Sequence, residues 1–215
     1  LVLTGGEGRI LMMIEDFGPR VASVWNDLRT TTRTLVERAW QSSAAGAGVQ
    51  APRSVPYDPR ADRELSRLLA ALDERASEAE QSPGDEPARQ ARKLADACAN
   101  VLIQQTQSAE VFAQLIHRAH ERKDYDRVDA LAGMLVDRLA PSEVCELARS
   151  SSVIVRALAQ EALTQMPAPL LKALLRDPVD AAVARFALER KATEFASEEA
   201  QRALRDFEDF GAEDF

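Results

Sequence analysis

The chain has 215 residues, 27 Lys and Arg against 35 Asp and Glu for a net charge of −8, and 46% hydrophobic but only 5% aromatic residues. That length suits one domain or two small ones with a sizeable core, and the acidic balance disfavours general binding to nucleic acid or anionic membranes, which draw on a basic surface. Ala occurs 37 times and Leu 24, against nine Gly and ten Pro, so the residues that lose least on entering a helix dominate and the expected fold is all-α.

Cys98 and Cys145 lie 47 residues apart with no Cys-x-x-Cys, which suits a reducing compartment, by default the cytoplasm. No run of about 18 apolar residues occurs, so no membrane span is expected. The start, LVLTGGEGRILMMIEDF, carries Gly and Glu where a signal peptide needs an unbroken apolar stretch. Opening on Leu1 rather than Met, the sequence reads as a trimmed chain or a piece of a longer one.

In residues 1–15, two short apolar runs flank Gly5-Gly6-Glu7-Gly8, a spacing for a hairpin or an extended arm. The Lys-Ser/Thr of a phosphate loop is missing there. From Asp16 to Trp40, Val21, Val24, Trp25, Leu28, Leu35, Val36 and Ala39 recur at helical spacing, predicting one long amphipathic helix. Its middle, Thr30-Thr31-Thr32-Arg33-Thr34, forms helix poorly, so packing must hold it. This helix either caps the hairpin that follows or is a docking arm anchored by Trp25, Trp40, Arg29 and Arg33, residue types that dominate interface energetics.

Residues 41–57 combine Ser, Ala, Gly and Pro without periodicity and read as a linker. A boundary is therefore expected between an N-terminal region 1–57 and a body 58–215. Asp58-Pro59 opens a helix with Leu65, Leu68, Leu69, Leu72 and Ala76 on one face, and a second runs from about Glu86 to Gln105. The two predict an antiparallel hairpin.

Beyond Ser108, caps and prolines cut the chain into short helices near 109–122, 125–139, 142–149, 152–166, 168–176 and 179–193. They pair, the second member of each pair starting near Asp124, Ser152 and Pro178. Leu147-Ala148-Arg149-Ser150-Ser151-Ser152-Val153 and Leu174-Leu175-Arg176-Asp177-Pro178-Val179 both pass from a leucine-ended helix through Arg and a cap into an alanine-rich helix. This pattern over about 109–193 resembles the HEAT family of helical repeats, particularly its short bacterial form. The resemblance implies a short right-handed α-solenoid that binds macromolecules on an exposed face, and it carries no catalytic residues. An irregular helical bundle is the competing architecture. From Ala192 onward the chain is strongly acidic, and Phe207 and Phe210, set among Asp206, Glu208 and Asp209, are candidate partner contacts.

His117, His120, Glu121 and Asp124 fall on one helical stripe, and such groups can chelate zinc or a similar ion. Against this, histidine at a helix C-terminus is favourable with the dipole alone, and Arg118, Arg122 and Lys123 crowd the stripe. Nothing converges on these histidines to make a nucleophilic triad. The chain is thus read as non-enzymatic and without cofactor: an interaction scaffold or adaptor, a structural or accessory subunit of a larger complex, with homo-oligomerisation open. One alternative is a metal-binding helical enzyme or sensor on the His117/His120 stripe. Another is a nucleic-acid-associated regulatory domain, suggested by 23 Arg against four Lys but opposed by acids interleaved on most helices.

Overall fold

The computed structural model describes residues 14–44, 58–78 and 85–211, with side chains at 14–42, 58–78 and 85–207. Among the described residues every regular element is helical. The chain divides into two compact units, Leu1–Thr106 and Gln107–Phe215, and none of its described helices is long and apolar enough to cross a membrane. Residues 1–13 of the arm expected at 1–15, and most of the linker expected at 41–57, lie outside the described residues.

Unit 1 contains α1 (Pro19–Asp27), α2 (Thr30–Ala44), α3 (Pro59–Glu78) and α4 (Glu86–Gln105). Helices α3 and α4 form the expected hairpin; α1 packs on α3, and α2 on both α3 and α4. The single long helix expected over 16–40 is broken. Leu28 and Arg29 leave helical geometry, and Arg33 on α2 donates to the carbonyls of Trp25 (3.1 Å) and Asn26 (2.7 Å), satisfying acceptors that a helix end exposes. Thr32 holds the weak threonine run, being fully buried and donating to Glu64 on α3. The core joins Val21, Trp25 and Val36 to the leucine stripes of α3 and α4. Two side-chain caps start the hairpin helices. Asp58 accepts from the Arg60 N–H at 2.9 Å, and Asp85 from the Ala88 N–H at 3.1 Å.

Unit 2 contains α5 (Ala109–Glu121), α6 (Tyr125–Arg138), α7 (Pro141–Ala148), α8 (Val153–Gln165), α9 (Ala168–Leu174), α10 (Ala181–Glu194) and α11 (Glu198–Gly211). These bounds agree with the sequence expectation to within about two residues, because caps and prolines fix them. Helices α5 and α6, α7 and α8, and α9 and α10 pack as three successive hairpins. First helices also touch first helices (α5 with α7, α7 with α9), and second helices touch second helices (α6 with α8, α8 with α10). Helix α11 lies on α9 and α10, its outer side held by Lys172 Nζ to Asp206 Oδ2 at 2.5 Å. The burial pattern of Val155, Ala159, Ala162 and Leu163 on α8 returns as Asp180, Ala184, Ala187 and Leu188 at the start of and along α10.

Candidate interaction surface

The residues singled out in the sequence have different fates. Trp25 is 1% exposed and lies in the core of unit 1, so its ring is taken up by the chain's own packing and is not free to anchor a partner. Arg33 sits over that ring, its guanidinium carbon 6.0 Å from the ring centroid. Arg29 donates Nε to Glu64 Oε1 at 2.7 Å, and its Nη2 lies 2.9 Å from Asp58 Oδ2. That second contact is an ion pair whose angle falls outside hydrogen-bond geometry. Both arginines therefore fasten α1, α2 and α3 together. Trp40 and Phe207 are half-buried, and the side chain of Phe210 lies outside the described residues.

The histidine stripe does not converge. His117 Nε2 meets Glu121 Oε1 at 3.2 Å on the exposed face of α5, while His120 turns to Tyr125, with ring centroids 6.4 Å apart and edge-on. Asp124 is occupied as the cap of α6, accepting from the Arg127 N–H at 3.2 Å. Among the described residues no three His, Cys, Asp or Glu side chains gather as metal ligands. Cys98 and Cys145 are buried, with no exposed surface and no disulfide. Burial, and secondarily the Asp180 carboxylate, pushes the Cys145 thiol up to about 11, so its thiolate is scarce at neutral pH.

The structure singles out instead the edge of unit 2 where each hairpin turns from its first helix to its second. Three turns meet there: Arg122-Lys123-Asp124-Tyr125, Arg149 through Val153, and Arg176-Asp177-Pro178-Val179. Because the hairpins run in the same sense and like helices touch like, these turns fall side by side. The second and third are directly joined, since Arg149 Nη1 donates to Asp180 Oδ1 at 2.6 Å and to the Val179 carbonyl at 3.2 Å.

Each turn is built locally. At the end of α5 the Lys123 N–H bonds His120 O and the Asp124 N–H bonds Ala119 O, with Lys123 in the left-handed region at φ 58°. This is a Schellman closure without glycine. In the second turn Arg156 Nη1 holds the Ser150 carbonyl at 2.7 Å. In the third, Asp177 Oδ1 accepts from the N–H groups of Val179 (2.8 Å) and Asp180 (3.2 Å), so it caps α10 one turn ahead of Ala181.

The result is a row with one large exposed apolar side chain per turn: Tyr125 at 59%, Val153 at 71% and Val179 at 64% exposure. Single exposed apolar residues are ordinary. Here each turn carries one: Tyr125 and Val153 open α6 and α8, and Val179 lies two residues before α10. An arginine precedes each, at 122, 149 and 176, a constant interval of 27 residues. That interval is the signal that could have located the row in the sequence. It was hidden because attention fell on the starts anticipated for the second helices, near Asp124, Ser152 and Pro178, which are unevenly spaced. Comparison of the chain with protein-family models, with curated proteins and with solved structures finds no match.

Proposed function

We propose that this chain is a non-enzymatic adaptor, a structural or accessory subunit of a larger complex, whose unit 2 is a short HEAT-like α-solenoid serving as a protein-binding platform. The observation that carries this reading is the row of Tyr125, Val153 and Val179, exposed one per turn along the stacked edge. Support for the solenoid comes from the contacts of first helices with first helices and second with second, the arrangement that lets stacked pairs bury a shared core. The polar groups that drew attention as chemistry are engaged in caps, ion pairs and turn closures, which suits a rigid platform. Two buried cysteines outside any disulfide suit the cytoplasm.

The test is native-level affinity purification of the full chain, followed by size-exclusion chromatography and mass spectrometry. A partner or a second copy held in constant stoichiometry through the column is the expected result. A chain that elutes alone as a monomer, from cells in which it is the only tagged species, overturns the reading.

A further inference from the structure

The bend between α1 and α2 interrupts a buried face that keeps its spacing across it. Val21, Trp25, Leu28, Thr32, Val36 and Ala39 are buried at steps of four, three, four, four and three residues, as on one continuous helix. Only Leu28 and Arg29 lie between the two helices, Leu28 with ψ at 142°. Leucine and arginine are both strong helix formers, and neither glycine nor proline stands between Val21 and Ala39.

Side chains hold the bend. Arg29 reaches Glu64 and Asp58 at the start of α3, and Arg33 donates to the carbonyls of Trp25 and Asn26. In an unbroken helix those two carbonyls would accept from the N–H groups of Arg29 and Thr30. Arg33, together with the Leu28 N–H on the Trp25 carbonyl, thus stands in for hydrogen bonds that the bend removes.

Straightening has a consequence for α1. Arg20 meets Glu74, and Asp27 meets Arg67 at 3.4 Å, so α1 runs antiparallel along α3 and the bend lies at the N-terminal end of α3. With α2 kept on α3 and α4, an unbroken helix would carry residues 19–27, about 14 Å of helix, off α3. Val21 and Trp25 would lose their cover, and the face of α3 beneath them would open. A second copy straightened in the same way has the complementary vacancy. Two copies fill both, and the contacts of α1 with α3 are remade between chains. The ion pairs of Arg20 with Glu74 and of Asp27 with Arg67 are then the same in both forms and choose neither. Among the charges named, only the hold of Arg29 on Glu64 and Asp58 favours the bent form.

We propose that unit 1 exchanges α1 with a second copy of the chain, Leu28 and Arg29 joining α1 and α2 into one helix over 19–44 and each α1 packing on the α3 of the other copy. Exchange of an identical element is a low-cost route to a dimer, and short connecting hinges invite it. Arg29 and Arg33 keep the bent form at low concentration, and mass action favours the exchanged pair as concentration rises. The exchange goes beyond the adaptor reading, which rests on unit 2.

Size-exclusion chromatography with light scattering, over a concentration series, is the first measurement. The full chain is expected to pass from monomer to dimer as concentration rises. Arg33→Ala removes the clip and adds a stronger helix former, and should raise the association constant about tenfold or more. Thr30→Pro should abolish the dimer. Proline suits the first position of α2, but it deprives an unbroken helix of the N–H that meets the Asn26 carbonyl, and its ring clashes with that carbonyl. Arg33→Ala combined with Thr30→Pro should be monomeric again, which a mere loss of stability would not produce.

The second measurement reads connectivity. Chains carrying Arg20→Cys alone and Glu74→Cys alone are refolded together from urea, concentrated and treated with a short bismaleimide. Both positions are exposed and the native cysteines are buried, so a bridge from position 20 of one chain to position 74 of another, located by mass spectrometry, reports α1 of one copy on α3 of the other. That bridge is expected. A chain that stays monomeric at every concentration overturns the proposal, as does a dimer that Thr30→Pro leaves intact or one that lacks the bridge. The adaptor reading is kept apart by the Thr30→Pro chain, which should lose the second copy and retain any other partner.

Discussion

Arg149, at the end of α7, donates to the carboxylate of Asp180 at 2.6 Å, and Asp180 is a nearly buried residue at the start of α10. One turn of unit 2 is thereby fastened to the next. The relationship is unequal, because Arg149 is 37% and Asp180 only 6% exposed at the side chain. Removing the arginine strands a buried charge, whereas removing the acid leaves a cation that water can reach.

Arg149→Ala should therefore destabilise the chain by about 2–3 kcal/mol, and Asp180→Val by distinctly less. Asp180 stands where the matching pattern on α8 has Val155, so valine already fits one copy of this packing position. Urea denaturation of the two variants decides it. Equal losses would mean that the pair acts as a surface bridge and that the asymmetry has no energetic meaning.

Trp25 carries a second asymmetry. Its ring is buried, yet Nε1 has no hydrogen-bond partner. An unmet buried donor costs about 1–3 kcal/mol, so Trp25→Phe loses packing volume but also sheds that penalty. The expected net loss is within about 1.5 kcal/mol, against about 3–5 kcal/mol for Trp25→Ala. Thermal unfolding of both variants is the measurement, and a Phe variant as unstable as the Ala variant would contradict the account.

How much of this was legible in the sequence depended on whether the information was local. Helices α5 to α10 could be bounded in advance because Asp124, Pro141, Ser152, Pro167 and Asp177 act within a turn of where they sit. The break at Leu28–Arg29 could not, because no Gly or Pro marks it. It is made by Arg33 reaching back to two carbonyls and by Arg29 reaching across to Glu64 on α3. The same distance effect hid the fate of Trp25 and the two arginines, which look like interface anchors in isolation. Composition drew the eye to a boundary at 57/58, whereas the compact units part between Thr106 and Gln107, within a stretch that carries no glycine or proline. There Thr106 is buried and donates to Asp62 at 2.6 Å, closing unit 1 with a long-range bond.

Ala196 offers a test of backbone conformation. It follows α10 with φ at +50°, in the left-handed region that Cβ-bearing residues resist. The turn is stabilised by the Ser197 N–H bonding Lys191 O at 3.1 Å. Glycine enters this region without the Cβ clash, though it pays more unfolded-state entropy. Ala196→Gly should raise stability by up to about 1 kcal/mol, read as a higher melting temperature. A destabilised variant would show that the turn does not bear the strain its dihedral implies.

Acid should act on unit 1 through its caps. The Arg60 backbone N–H, and then the Arg29 guanidinium, hold Asp58 below its ordinary value of 3.8, and the Ala88 backbone N–H, and then Arg75, do the same for Asp85. Groups depressed by folding contribute stability at any pH above their unfolded value and lose it as pH falls through the folded one. Stability should thus be level from neutral pH down to about 5 and decline below about 4. Asp85→Asn keeps a cap acceptor but abolishes the charge, so it should be less stable at pH 7 and flatter in acid. Urea midpoints across this range, equally steep in the variant, would show that Asp85 has no part in the decline.

Alkali should act through Cys145 in the opposite sense. Its thiol is raised from 9.0 to about 11 in the fold, chiefly by burial, so its contribution is complete below about pH 9 and is lost as pH climbs towards 11. At pH 8 the same two values leave the native thiolate about a hundredfold scarcer than the unfolded one. Cys98 is equally enclosed, with no exposed surface in unit 1. Iodoacetamide should therefore modify both cysteines of the native chain about a hundredfold or more slower than in urea, with mass spectrometry assigning each site. Because Cys98 belongs to unit 1 and Cys145 to unit 2, the two rates also report the opening of each unit separately. Fast labelling of Cys145 alone would mean that unit 2 opens under native conditions while unit 1 stays closed.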